Sequence, residues 1–118
     1  MGGTPKSTSP DGRYAIHVEI FEMRMSHWVE SPILSDAQSG EVLLRFANSL
    51  WSLNTTQWQD DAVVRLSLRK YPGDHTPSSF EAVIDCAARK ATVQGAAVEG
   101  LTQVEAALER LYEAGRRR

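Results

Sequence analysis

Apolar and polar positions alternate along most of this chain, and the period becomes helical only near its end. Tyr14, Ile16, Val18 and Ile20 share one phase, and Ala15, His17 and Glu19 the other. Such alternation predicts a half-buried β-strand. The phase then inverts, with Phe21, Met23 and Met25 as the apolar set. One extra residue near Ile20 and Phe21 would invert it, so a β-bulge or sharp bend is expected there, with two separate strands as the alternative. Pro32 has no backbone N–H and predicts a sheet edge or the start of a strand.

Pro32 to Phe46 reads as a β-hairpin. Its polar turn runs from Asp36 to Gly40, after which Val42, Leu44 and Phe46 alternate with Glu41, Leu43 and Arg45. Asn48 to Gln57 is less regular, with Leu50, Trp51, Leu53 and Trp58 as apolar anchors. Asp60-Asp61 predicts a turn, and Ala62 to Arg69 is the clearest strand, with Val64, Leu66 and Leu68 in one phase. A turn at Tyr71 to Asp74, a strand from Phe80 to Cys86 and a short strand from Ala91 to Gln94 follow.

Leu101, Val104, Leu108, Leu111 and Tyr112 recur at helical spacing, which predicts a helix from Thr102 to Ala114. Thr102 and Glu105 form a capping-box pattern at its start, and Gly115 is the expected C-cap. These elements imply the α+β class. An antiparallel meander of about five to seven strands is covered by one C-terminal amphipathic helix, a partly rolled barrel being the alternative. Residues 1–12 read as a flexible tail, 13–114 as one domain and 115–118 as a basic tail.

The strand region echoes itself about 50 residues on. Pro10-Asp11-Gly12 is matched by Gln59-Asp60-Asp61, Leu34-Ser35-Asp36-Ala37 by Ile84-Asp85-Cys86-Ala87, and Gly40-Glu41-Val42 by Lys90-Ala91-Thr92. The doubling predicts two similar meander units. Ser9-Pro10-Asp11-Gly12-Arg13-Tyr14, Asp36-Ala37-Gln38-Ser39-Gly40-Glu41-Val42-Leu43 and Trp58-Gln59-Asp60-Asp61 resemble blades of TolB-like and WD-repeat β-propellers. The resemblance spans about half the chain and implies blade-like antiparallel units. A propeller closes with at least about four blades. This chain has room for about two, so the expectation is a small meander with blade-like local sequence.

Composition narrows the functional classes. The 118 residues are 42% hydrophobic and 24% charged, which suits one folded domain. A formal net charge of -2 speaks against broad electrostatic binding to nucleic acid or an acidic membrane. No apolar run approaches the roughly 20 residues that span a bilayer, and no apolar leader opens the chain. The single Cys86 excludes an intramolecular disulfide and fits a reducing, cytoplasmic setting.

Candidate chemistry is sparse. His17, His27 and His75 lack the close ligand spacing of a zinc site, although His17 and Glu19 share a strand face. Cys86 lies in phase with Phe80 and Ile84, as a buried thiol would. No G-x-S-x-G and no glycine-rich phosphate loop occurs. The expected function is therefore a non-enzymatic protein-binding or accessory module, such as an inhibitor or immunity-type partner. It would have no cofactor and an unknown protein partner, with homo-oligomerisation an option. Its expected contact residues are Trp28, Trp51, Trp58, Met23 and Met25, large or adaptable apolar side chains in the irregular centre of the chain. A second reading is an anion- or RNA-binding sheet surface built from Arg45, Arg65, Arg69, Lys70 and Tyr71. A third is a small enzyme or metal protein around His17, Glu19 and His27.

Overall fold

Alternating apolar residues build two antiparallel sheets because each strand has one face to bury and turn residues bring its neighbour back beside it. The structure is a computed structural model and describes residues 5–23, 28–48, 50–71 and 79–116. The first sheet has the order β1 (Ser7–Thr8), β2 (Tyr14–Glu22), β3 (Trp28–Asp36), β4 (Val42–Arg45). The second has the order β5 (Trp51–Trp58), β6 (Val63–Lys70), β7 (Phe80–Asp85), β8 (Lys90–Val93), β9 (Ala96–Val98). A 3-10 turn at Leu101–Gln103 leads into α1 (Val104–Arg116). The α+β class and the meander order hold. The described strands number nine and divide between two open sheets, with the short β1 and β9 beyond those expected.

The bulge expected at Ile20 and Phe21 is absent. β2 and β3 pair without a register shift from Tyr14↔Asp36 to Glu22↔Trp28. The phase inversion has a different origin. Burial falls along β2, from a fully buried Ile16 to exposed Ile20 and Glu22, while Val29 and Ser31, in the phase of Phe21 on β3, are buried, so the far end of the hairpin covers its other face. Register shifts fall instead at Leu34/Ser35, opposite β4, and at Leu53/Thr55, opposite β6. The first leaves Val42 half exposed while Leu44 and Phe46 are buried. Pro32 lies inside β3, opposite Val18, where the register with β4 has already ended.

The internal echo is visible in the backbone. The Ala37 N–H donates to the Arg13 carbonyl, and the Cys86 N–H donates to the Ala62 carbonyl, each at 2.8 Å and 49 residues apart. Gly40 and Arg89, also 49 apart, both adopt positive φ, 80° and 58°, at the last position of their hairpin turns. Glycine meets that demand without strain, and arginine does not. The true repeat is thus one residue shorter than the sequence pairing at Asp36 and Gly40 suggests.

One core joins the layers. It takes Ile16, Leu34 and Leu44 from the first sheet, Val64, Leu66, Leu68 and Ile84 from the second, and Val104, Leu108 and Tyr112 from α1. Leu111 stays partly exposed and Ala107 is buried. The capping box does not form: no side chain caps the 3-10 turn, and Thr102 is exposed. Glu105 instead accepts hydrogen bonds from the Ala47 and Asn48 N–H groups, both at 2.8 Å. Those two donors lie between β4 and β5, so the carboxylate ties that connection to the helix. Gly115 lies within the helical run rather than capping it.

Candidate functional site

The far end of the β2–β3 hairpin carries the two most exposed large apolar side chains among the described residues, Ile20 and Trp28, with Phe21 beside them. Ile20 is 60% exposed, Trp28 52% and Phe21 36%. Their placement follows from the register. Ile20 stands opposite Glu30 and Trp28 opposite Glu22, so Ile20 and Trp28 are diagonal neighbours on one face. The same phase holds buried Ile16 and half-buried Val18, so the core face of β2 continues outward into solvent. Phe21 lies in the opposite phase and lines a groove of about 420 Å³ with Glu19, Ser31, Arg45 and Phe46. Met23 is half-buried beside this tip, whereas Met25 and His27 lie outside the described residues.

The three tryptophans part company. Trp51 belongs to the core, not to a contact surface: it is fully buried. Its ring meets Phe80 edge-on at 5.5 Å and Tyr112 at 6.2 Å between centroids. Its indole N–H donates to Glu109 Oε2 at 2.9 Å. Trp58 is half-buried, packs against the same core and donates to Ser7 Oγ at 2.8 Å, which ties β5 to β1. Only Trp28 presents its ring to solvent.

The basic residues do not converge. Arg45 is on the first sheet, and Arg65, Arg69 and Lys70 are on the second. Arg45 pairs with Glu19 at 2.9 Å, Arg65 with Glu81 at 3.3 Å, and Arg69 donates to Asn54 Oδ1 at 3.0 Å. Lys70 is largely buried and pairs with Glu109, its ammonium 4.5 Å from the Tyr112 ring centroid. Tyr71 is half-buried at the end of β6 and is itself engaged. Strand alternation places basic residues on one face but says nothing of the acids that the partner strand sets opposite them.

Glu109 is the residue that sequence reasoning misses. It accepts from Trp51, from Lys70 Nζ and from Asn48 Nδ2 at 3.1 Å. Burial raises its pKa, but the hydrogen bonds from Lys70 and Trp51 outweigh this and hold it below the usual glutamate value. In the sequence it is one acid beside an apolar helical stripe, with no local signal. Ile20 and Phe21 did carry one: two adjacent apolar residues of opposite phase on one continuous strand cannot both face the same core.

Asp36, in the first hairpin turn, is a structural group. The Arg13 guanidinium holds its carboxyl at about 2, helped by the Gln38 and Ser39 N–H groups. Glu41 accepts from both terminal nitrogens of Arg89, which joins the two equivalent turns. A shallow groove of about 540 Å³ on the outer face of the second sheet is floored by Val83, Thr92 and Ala97, with Arg89 on its rim.

His17 is half-buried on β2, and its neighbour Glu19 is held by Arg45. His75 lies outside the described residues. Among the described residues no group of three His, Cys, Asp or Glu side chains is arranged to hold a metal ion. Burial pushes the Cys86 thiol up to about 12, with Asp85 adding to the shift. Cys86 is therefore expected to react with a thiol reagent such as Ellman's reagent at least about a hundredfold faster in denaturant than in the folded protein. Equal rates would show that the site opens readily. No helix among the described residues is long and apolar enough to cross a membrane. No protein-family model, curated protein or solved structure matches this chain.

Proposed function

We propose that this chain is a non-enzymatic protein-binding module that docks another polypeptide on the apolar tip of its β2–β3 hairpin. The observation that carries the reading is the exposed pair Ile20 and Trp28, diagonal neighbours at the end of a core face, with Phe21 on the other face of the same tip. Large apolar side chains exposed side by side are a common mark of an interface, where tryptophan is a frequent anchor. The anion-binding alternative has less support, because Arg45, Arg65 and Lys70 are each paired with an acid.

A photo-reactive amino acid placed at position 28 tests the reading, with the same group at exposed Asn54 as the control. Irradiation of cells expressing the full chain is expected to give a discrete protein adduct from position 28 and none from position 54. Ile20→Glu should abolish the adduct. Labelling that is equal at both positions, or absent from both, would remove the tip as a docking surface.

A further inference from the structure

Four polar side chains are buried among the described residues: Ser9, Ser31, Asp36 and Ser52. Three of them have protein partners. Ser9 Oγ donates to Asp11 and accepts from the Tyr14 N–H, Ser52 Oγ accepts from the Glu30 N–H, and Asp36 accepts from Arg13. Ser31 is 2% exposed, and its hydroxyl has no hydrogen-bond partner among the described residues. A buried hydroxyl left unpaired is destabilising, and native structures seldom keep one without a use. Ser31 stands directly opposite Glu19, so both side chains lie on one face of the hairpin, the face of Phe21. Its neighbours in phase, Val29 and Ile33, are apolar and buried, so the serine interrupts an apolar row.

The same serine lines the groove of about 420 Å³ beside Phe21, and it is the least exposed of the lining residues, so it forms the floor. Phe21, Phe46 and Ala47 give the groove apolar walls, and the Glu19–Arg45 pair, half exposed, forms its rim. Arg45 Nη2 donates to Glu19 Oε1, which leaves Arg45 Nε and Nη1 and Glu19 Oε2 without a partner among the described residues. We infer that this groove binds a tyrosine side chain of another polypeptide. An aromatic ring suits walls made of Phe21 and Phe46, and its hydroxyl supplies the partner that Ser31 lacks. The spare Arg45 donors and Glu19 acceptor match the carbonyl and the N–H of the peptide that carries the ring. A free phenol would use the floor and not the rim. The groove is on the face opposite Ile20 and Trp28, so docking at those two residues is tested separately, by the position-28 adduct.

Titration of the isotope-labelled full chain with N-acetyl-tyrosinamide, followed by NMR, tests this. The amide signals of Phe21, Ser31 and Ala47 are expected to shift. The tyrosine amide should bind about three- to tenfold more tightly than N-acetyl-phenylalaninamide, the gain from one hydrogen bond. It should also bind more tightly than p-cresol, which cannot engage the rim. Ser31→Ala removes an unpaired group, so its urea midpoint should be no lower than that of the wild type, and it should cancel the preference for tyrosine over phenylalanine. No shift at these residues, equal binding of the two amides, or a preference that survives Ser31→Ala would each overturn the site. A Ser31→Ala midpoint well below that of the wild type would also overturn it, by showing that the hydroxyl is already partnered in the folded protein. Binding of p-cresol as tight as that of the tyrosine amide would overturn the polypeptide as the source of the phenol.

Discussion

Trp51→Ala is expected to cost about 3–5 kcal/mol of folding stability, the range for truncating a fully buried large aromatic side chain. Trp51 is wholly inside, where the second sheet, α1 and the connection from β4 to β5 meet. It starts β5, packs edge-on against Phe80 of β7 and Tyr112 of α1, and sits 6.3 Å from Phe46 between ring centroids. Alanine would remove that packing and leave a cavity between sheet and helix. It would also take away one of the donors that hold Glu109. A domain is typically stable by only about 5–15 kcal/mol, so the variant should populate unfolded chains readily. Trp51→Phe keeps much of the packing and loses the N–H, so it should fall between the two. Urea unfolding measures the effect, read as a shift of midpoint at constant slope. A loss below about 1 kcal/mol for the alanine variant would contradict the place given to Trp51 in the core.

Replacement of Glu109 comes second, with an expected loss of about 2–4 kcal/mol for Glu109→Ala. The side chain is 30% exposed, which moderates the figure. The larger cost falls on its partners. Lys70, with a side chain only 11% exposed, would keep a charge without its anion, and the Trp51 N–H would lose its acceptor. Glu109→Gln should cost less, because an amide oxygen still accepts from Trp51 but does not neutralise Lys70.

The pH dependence separates charge from packing. The folded pKa of Glu109 lies below the ordinary value of 4.5. Its contribution is therefore fully present above that value and is lost as pH falls through the lowered folded pKa. Asp36, held at about 2 against an ordinary 3.8, adds a loss of the same sign at lower pH. The wild type should thus lose stability on acidification below 4.5 more steeply than Glu109→Gln, which lacks the first of these groups. Urea midpoints measured against pH for the two proteins give the answer, and parallel profiles would show that the Glu109 charge contributes nothing.

Much of the architecture could be read from the residues. Alternation at Val64, Leu66 and Leu68, and at Phe80, Ala82 and Ile84, identifies β6 and β7 because a strand with one buried face must alternate. The Asp36 to Gly40 turn is legible because aspartate accepts from the N–H groups that follow it and glycine takes the positive φ. The helix is legible from its period. β9 was not, since Ala96–Val98 is too short to show a phase.

The candidate site was legible only in part. Trp28, Trp51 and Trp58 are equivalent as sequence, yet one is exposed, one is core and one is half-buried against β1. Their fate depends on what lies over each ring, which is decided by residues far away in the chain. Glu109 meets Trp51 across 58 positions, and Arg89 meets Glu41 across 48. By itself, then, the sequence determined the phases of β6 and β7, the Asp36 to Gly40 turn, the helix and the doubling of the meander, because these follow from local periods and backbone conformation; the turn expected at Tyr71 to Asp74 lies largely outside the described residues. The tertiary structure alone decided which charges neutralise one another, where the ladder shifts register, and that Ile20 and Trp28 stay in water. Burial is a property of how two sheets and a helix overlap, and Ile20 and Trp28 lie beyond that overlap although Val29 and Ser31 beside them are within it.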